Sequence, residues 1–541
     1  MGMVMTSSPN AKKSSSGRSF LVLFILLLLF LAAAFLFISS RPAESPAATQ
    51  DEVLSQPPAG EAAPPLVGAA GFQMPGEPLL AWVGSGAAPG KHSAQAPGQL
   101  ALVAADGSAT PLLDIPPQTS RLVPCGASSD GVLLAYYIGL DNGALYLMRG
   151  AQSPVKVDDV PALTCLGPGQ AAFAGDRLAY IAYESGAAQS EFADGFLRVV
   201  NTSSLERLFR AENVTAFDLN ADGAAYISLF TNNRNEADEA AVVWWNGSTE
   251  REVVTLVPTG EGCRFVSGQI IIAPDGRFVT VMGQRCKTGD TRTQWQLYVV
   301  DPAAGSATLA ASDFQAGAFA PFAGTNMIFF SPDGSRAYFT VPDGVTAYTA
   351  GLKAINLADL SVSNVIEKQA VMPNFGGAPN AFPQLSPDAR WLALVVTTPN
   401  NENTLNIVDL ANPGVAPITL SAGSRGDVLS AMVFTADSAR LFAVAGGVDS
   451  ADNSLFSVDL ATGSSSRLSR GRFGNGLAVI GSVVAVPDWQ IPDDPKEPAY
   501  LNMVVINADG GEKATWFTGA DIVDGKVTNQ RFAFPLAWRR P

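Results

Sequence analysis

The feature that most constrains this chain is a short unit that it repeats with variation. In Phe329-Phe330-Ser331-Pro332-Asp333-Gly334-Ser335-Arg336-Ala337-Tyr338-Phe339-Thr340-Val341, two apolar runs flank a Ser-Pro-Asp-Gly turn. Proline presets φ at the second turn position, aspartate tolerates the third, and glycine supplies φ > 0 at the fourth. That chemistry closes a hairpin, a type I turn followed by a glycine bulge. Beyond the turn Ala337, Phe339 and Val341 alternate with other side chains, the period of a strand. Ala273-Pro274-Asp275-Gly276 precedes Arg277-Phe278-Val279 in the same way, and Ser386-Pro387-Asp388-Ala389 precedes Arg390-Trp391-Leu392. Weaker copies are Asn220-Ala221-Asp222-Gly223, Thr435-Ala436-Asp437-Ser438 and Ser128-Ser129-Asp130-Gly131.

Turn-flanked strand pairs give units starting near Leu79, Leu122, Leu163, Val214, Arg264, Phe322, Phe382, Leu429 and Leu477, spaced by about 40–58 residues. Each fuller unit adds a polar loop, a third strand ending in Asp or Asn, a short turn and a last strand. Leu297-Tyr298-Val299-Val300-Asp301 and Leu455-Phe456-Ser457-Val458-Asp459 are such third strands. Fifty-one glycines and 37 prolines suit many tight turns. No long amphipathic helical pattern interrupts the repeats. Four strands per repeat predict blades around an axis, with short protected edges.

The turns and strand ends resemble the WD40-like, TolB-type (PD40) β-propeller repeat family over roughly residues 77–540, without the Trp-Asp and Gly-His marks of true WD40 repeats. The resemblance implies an all-β chain: a single propeller of four-stranded antiparallel blades, eight favoured and seven or nine allowed. Arg531-Phe532-Ala533-Phe534-Pro535-Leu536 is expected to supply the strand missing from the thin first unit and so close the ring. Function follows weakly from such a likeness, because propellers host many functions.

Ahead of the repeats, Phe20–Ile38 is an unbroken apolar run of membrane-spanning length, with Lys12, Lys13 and Arg18 before it. The positive-inside rule places residues 1–18 in the cytoplasm and everything beyond the 19–39 segment in the periplasm or at the cell surface. A cleaved signal peptide would have a shorter core and a small-residue cleavage site. The sequence therefore favours an uncleaved anchor. Residues 40–75, rich in Pro, Ala, Glu and Ser, read as a tether to a propeller spanning 76–541.

In the propeller family the turns of the Ser-Pro-Asp-Gly type share one face, and the second-to-third strand loops share the other. Here those loops are longer and polar: 184–194, 231–239, 283–293, 397–404, 446–454 and 488–498. Long loops on a rigid scaffold are where function tends to reside. They hold the candidate binding residues Glu236, Asp238, Asp449, Asp452, Asp493 and Asp494, with Trp489 as an aromatic platform. Solvated loop charge and packing between blades are the bland alternatives.

Little else points to chemistry. The single histidine, His92, sits in a Gly/Pro/Ala/Ser-rich loop, so a serine or cysteine catalytic device has no obvious imidazole. No Gly-x-Ser-x-Gly elbow, Walker motif or dinucleotide motif is found, and no cofactor or metal is expected. Asp218-x-Asn220-x-Asp222-Gly223 matches the start of a calcium loop, but Leu229 stands where a bidentate glutamate is needed, which favours a hairpin turn. The net charge of −15 argues against nucleic acid.

Four cysteines suit an oxidising compartment. Folding the hairpin at Pro274-Asp275-Gly276 sets Cys263 opposite Cys286 to within about one residue, which predicts a disulfide. Cys125 and Cys165 occupy similar places in successive units and form a second expected pair. The resulting expectation is a membrane-anchored, non-catalytic propeller that binds a protein or glycan. The alternative is a lactonase-like or glycan-active hydrolase using loop carboxylates or a cation.

Overall fold

The computed structural model describes residues 75–86, 98–115, 122–128, 132–138, 143–160, 171–182, 195–229, 236–287, 294–315, 328–342, 349–371, 384–397, 403–421, 427–447, 453–474, 476–492, 494, 496–509 and 511–538. All fall within one compact unit, Pro65–Pro541. The described residues are strands, turns and bends with no helix. Phe20–Ile38, residues 40–74, His92 and Cys165 lie outside them. No helix among the described residues is long and apolar enough to cross a membrane.

Successive strands pair antiparallel. Among the described residues they form five four-stranded sheets, one of seven strands, one of eight and a two-stranded hairpin. The larger sheets are four-stranded units run together. In the seven-stranded sheet the 13-residue strand Arg207–Leu219 serves two units. Its first half pairs with Gly195–Asn201 and its second half with Ala224–Leu229. The change of partner comes at Asn213, whose φ of 57° turns the chain, and at a register shift between Val214 and Ala216. In the eight-stranded sheet the end of Val362–Val371 crosses to the next unit through Ala370↔Thr397 and Val371↔Val396.

The core lies between neighbouring sheets. Ala393, Leu405 and Ile407 of one sheet pack with Met432, Leu441 and Ala443 of the next. A middle strand is thus buried on both faces, and all six residues of Ala224–Leu229 are buried. The repetition carries from the last sheet back to the first. Ala485, Met503, Val505 and Trp516 pack with Leu79, Ala81 and Val103, and the Trp516 indole donates to the Val103 carbonyl at 3.1 Å. The C-terminal strand Arg531–Trp538 pairs with Leu79–Ser85, so the first sheet is completed by the end of the chain. This is the strand that the sequence assigned to the thin first unit.

Cys263 and Cys286 form a disulfide, and they are directly paired across the hairpin. Cys125 is fully buried and disulfide-bonded.

Candidate functional site

The two ends of the sheets differ chemically. At the short-turn end Asp275, Asp333, Asp388 and Asp437 are each occupied by their own turn, whereas Asp222 is exposed and its turn is held by Asn220. Asp333 accepts the Ser331 hydroxyl at 2.5 Å and the Ser335 N–H at 3.0 Å. Asp388 accepts the Ser386 hydroxyl at 2.5 Å and the Arg390 N–H at 3.1 Å. The Ala439 N–H reaches Asp437 at 3.0 Å. The Ser331 hydroxyl, then the Ser335 N–H, hold Asp333 below the usual carboxylate range, and Thr435 with the Ala439 N–H do the same for Asp437. The fourth turn position is left-handed in four of the copies: Gly276 and Gly334, but also Ala389 at φ 58° and Ser438 at φ 56°.

The arginine that follows these turns latches the sheets together. Arg277 donates to the Leu357 carbonyl at 2.7 Å, 80 residues along the chain. Arg440 pairs with Asp509 at 2.6 Å. Arg390 instead holds Asp409 of its own sheet at 2.8 Å. Burial pushes Asp409 up, but hydrogen bonds from Arg390, Asn412 and the Ala411 N–H outweigh it and keep the carboxyl below its usual range. The recurrence of arginine after these turns was visible in the sequence, but Arg277 and Arg440 find their partners in other repeats.

The calcium-like stretch is a hairpin turn of a tighter kind, in which the Asn220 N–H donates to the Gly223 carbonyl at 2.9 Å. Asn220 Oδ1 accepts the N–H groups of Asp222 and Gly223 at 2.9 and 3.0 Å. Asp218 accepts the Leu219 N–H and, from the neighbouring sheet, the Ile272 N–H at 2.8 Å. Burial of this carboxyl outweighs those donors and pushes its pKa up to about 6. The native state therefore holds a proton that the unfolded chain, titrating near 4, releases. The stability so contributed is fully present below about pH 4 and is lost as pH rises to about 6. It amounts to about 2 kcal/mol after allowance for the partial exposure of the residue. Melting temperatures measured from pH 4 to 7 should fall through this window more steeply in the wild type than in Asp218→Asn. Parallel profiles would show that Asp218 is not the group responsible.

At the opposite, loop-bearing end, buried polar side chains clamp the segments that lead from one sheet to the next. Gln284 accepts the Thr259 N–H and donates to the Thr259 carbonyl, both at 2.9 Å. Gln296 donates to the Thr259 hydroxyl and accepts the Tyr298 hydroxyl. In the last full sheet Asp488 is 3 % exposed. It pairs with Lys513 at 2.6 Å and accepts the Arg472 N–H at 3.1 Å. Asn453 grips Phe473 through two hydrogen bonds of 2.7 Å. These groups hold backbone that would otherwise be buried without partners.

Of the residues singled out from sequence, Asp238 is exposed and pairs with Arg264 at 3.1 Å. Asp494 is exposed and accepts the Lys496 N–H at 2.9 Å. Glu236 is half-buried two residues before Asp238, in the segment whose Ala237 bridges to Phe265. Asp449, Asp452 and Asp493 lie outside the described residues. The placement of Trp489 in a loop is corrected. It is half-buried in the strand Val483–Gln490, opposite Leu501. The strand runs through Pro487 because the crossover stands in for its inner neighbour: the Gly474 N–H meets the Pro487 carbonyl at 2.8 Å and the Trp489 N–H meets the Arg472 carbonyl at 3.0 Å. Gly283–Cys286 likewise continues a strand, Phe278–Cys286. Among the described residues no three His, Cys, Asp or Glu side chains converge as a metal site would require.

The described end of the sheets thus presents separated carboxylates, each with a local partner, above a rigid clamped rim. The class the fold defines is an all-β protein of propeller type, built from four-stranded antiparallel sheets.

No protein-family profile and no curated protein matches the chain. Solved structures do. Prolyl oligopeptidase B from Galerina marginata is 12 % identical with a TM-score of 0.39, over 72 % of this chain and 56 % of its own length. This chain therefore spans little more than half of that enzyme. An oligogalacturonate lyase in complex with manganese is 12 % identical with a TM-score of 0.38, over 81 % of this chain and 96 % of its own. TolB from Acinetobacter baumannii is 13 % identical with a TM-score of 0.24, over 67 % and 82 %.

Proposed function

We propose that the chain is a non-catalytic binding propeller that captures a protein or glycan partner on its long-loop face. The observation that carries this reading is the allocation of carboxylates. At the short-turn end Asp275, Asp333, Asp388 and Asp437 serve turn geometry. At the loop end Asp238 and Asp494 stay exposed on different sheets, where a partner reaches them but where they do not converge on a reacting atom. A basic or cation-bridged partner suits them, with rim charges acting mainly on association rate and salt dependence.

The blade count belongs to the same proposal. Counting Arg207–Leu219 in two units and dividing the eight-stranded sheet at Ala370↔Thr397 supports nine four-stranded repeats, one more than the eight favoured by the sequence. We place the propeller outside the cell membrane, tethered by residues 40–75 to an anchor at Phe20–Ile38, on the strength of the apolar run and its preceding basic residues. Protease added to intact cells should then release a soluble domain cut within about residues 41–75, and protection of that domain would refute the topology.

Charge reversal tests the binding face. Asp493→Lys combined with Asp494→Lys should weaken capture of the native partner from a cell extract about tenfold, whereas Asp333→Lys should act only through folding. Normal capture by the loop variant, with loss in a folded Asp333→Lys protein, would mean that the partner sits on the other face.

A further inference from the structure

The outermost strand Ser465–Gly471 has a composition at odds with the acidic balance of the chain, whose net charge is −15. It carries Arg467 and Arg470, and no Asp or Glu occurs between Asp459 and Asp488. Two other outermost strands, Val155–Val160 and Glu250–Leu256, carry two carboxylates each. Both arginines are exposed, and no carboxylate among the described residues is within ion-pairing distance of either. In its sheet the strand lies beyond Asn453–Asp459, and among the described residues nothing pairs with its other side. A row of backbone donors and acceptors is therefore left open there.

Register brings the two charges together. Arg467 is opposite Phe456 and Arg470 is opposite Ser454, with the intervening register shift absorbing Leu468 as an extra residue. Phe456 and Ser454 lie two positions apart on one face, and directly opposed residues share a face. The bulge thus converts an odd spacing of three into two cations on the same side, about 7 Å apart along the strand. Leu468 packs into the core between this sheet and the next, which pins the bulge.

We propose that this edge takes up an extended acidic segment of a partner protein as an added strand, with carboxylates at alternate positions opposite Arg467 and Arg470. The spacing of about 7 Å is that of residues i and i+2 on a strand. Main-chain bonds supply affinity and the paired charges supply selection. A second copy of this chain is a poorer occupant, because edge-to-edge pairing of two such strands brings arginine against arginine. This site is separate from the loop face and does not rest on it.

The probe is a fluorescein-labelled heptapeptide in which glutamate alternates with valine and threonine, titrated with the purified full-length protein by fluorescence anisotropy. Saturable binding is expected, absent with lysine in place of glutamate and weakened by salt. The double variant Arg467→Glu with Arg470→Glu should bind about tenfold more weakly or worse, at an unchanged melting temperature, since both side chains are exposed. A peptide N-methylated at every second residue on its bonding edge should not bind. Failure of the heptapeptide to bind, wild-type affinity in the double variant, or equal binding of the N-methylated peptide would each overturn the proposal.

Discussion

Gly334→Val is expected to lower stability by about 4 kcal/mol, measured as a shift of the denaturant midpoint at constant slope. Two effects add. Gly334 has φ 67°, a conformation that a β-branched residue adopts only under strain of about 1–3 kcal/mol. The residue is also buried, and a Cβ built on it lies 2.8 Å from Cγ of Pro274 in the neighbouring turn. That overlap adds roughly 1–3 kcal/mol of overpacking. Gly276 has the same handedness with open space around it. Gly276→Val should therefore cost only the backbone part. Equal losses at the two sites would show that turn-to-turn packing contributes nothing, and a wild-type midpoint for Gly334→Val would show that the left-handed conformation is not held there.

Removing the Cys263–Cys286 bridge with paired serine substitutions is expected to cost about 3 kcal/mol by the chain-entropy argument for a separation of 23 residues. The bridge ties the start of the strand Cys263–Ile272 to the end of its hairpin partner, next to the crossover that Gln284 clamps at Thr259. Loss of the bridge should therefore show locally as well as globally. Amide exchange at Val257–Gly262 should quicken more than exchange at Phe278–Val281, whose residues are buried in mid-sheet. Non-reducing peptide mapping of the wild type should recover Cys263 linked to Cys286. Free thiols at both positions in oxidised protein would rule the bridge out.

The disulfide also shows where reading the sequence stops. Counting outward from the turn brings Cys263 within one residue of Cys286, because hairpin register follows from the turn that closes it. Near the turn, Ile272 pairs with Phe278, and a strict ladder from there would set Cys263 against Lys287. A register shift between Phe265 and Ser267 takes up one residue and brings the cysteines together. Nothing in the local sequence announces that bulge. It coincides with the point where Phe265 bridges to Ala237 of the preceding sheet, a contact made by another repeat.

The same division runs through the candidate site. The Asp, Pro and Gly of the turns were legible because their roles are local, set by φ preferences and by hydrogen bonds two or three residues away. The arginines after the turns were visible as a repeat, but Arg277 and Arg440 act on residues 80 and 69 positions distant. Trp489 reads as a loop residue between Asp488 and a proline-rich stretch. It becomes a strand residue because Lys513 neutralises Asp488 and the crossover pairs with its backbone.

The sequence by itself determined the all-β class, the repeated four-strand unit, the turn chemistry and the closing role of Arg531–Trp538, since each follows from periodicity or from preferences within a few residues. The tertiary structure decided the rest: where one strand serves two units, which carboxylates are occupied, and which two arginines share a face. Those outcomes depend on contacts between sheets and on single-residue bulges. A shift of one residue moves a side chain to the opposite face, so no count along the chain predicts it until the partner strand is in place.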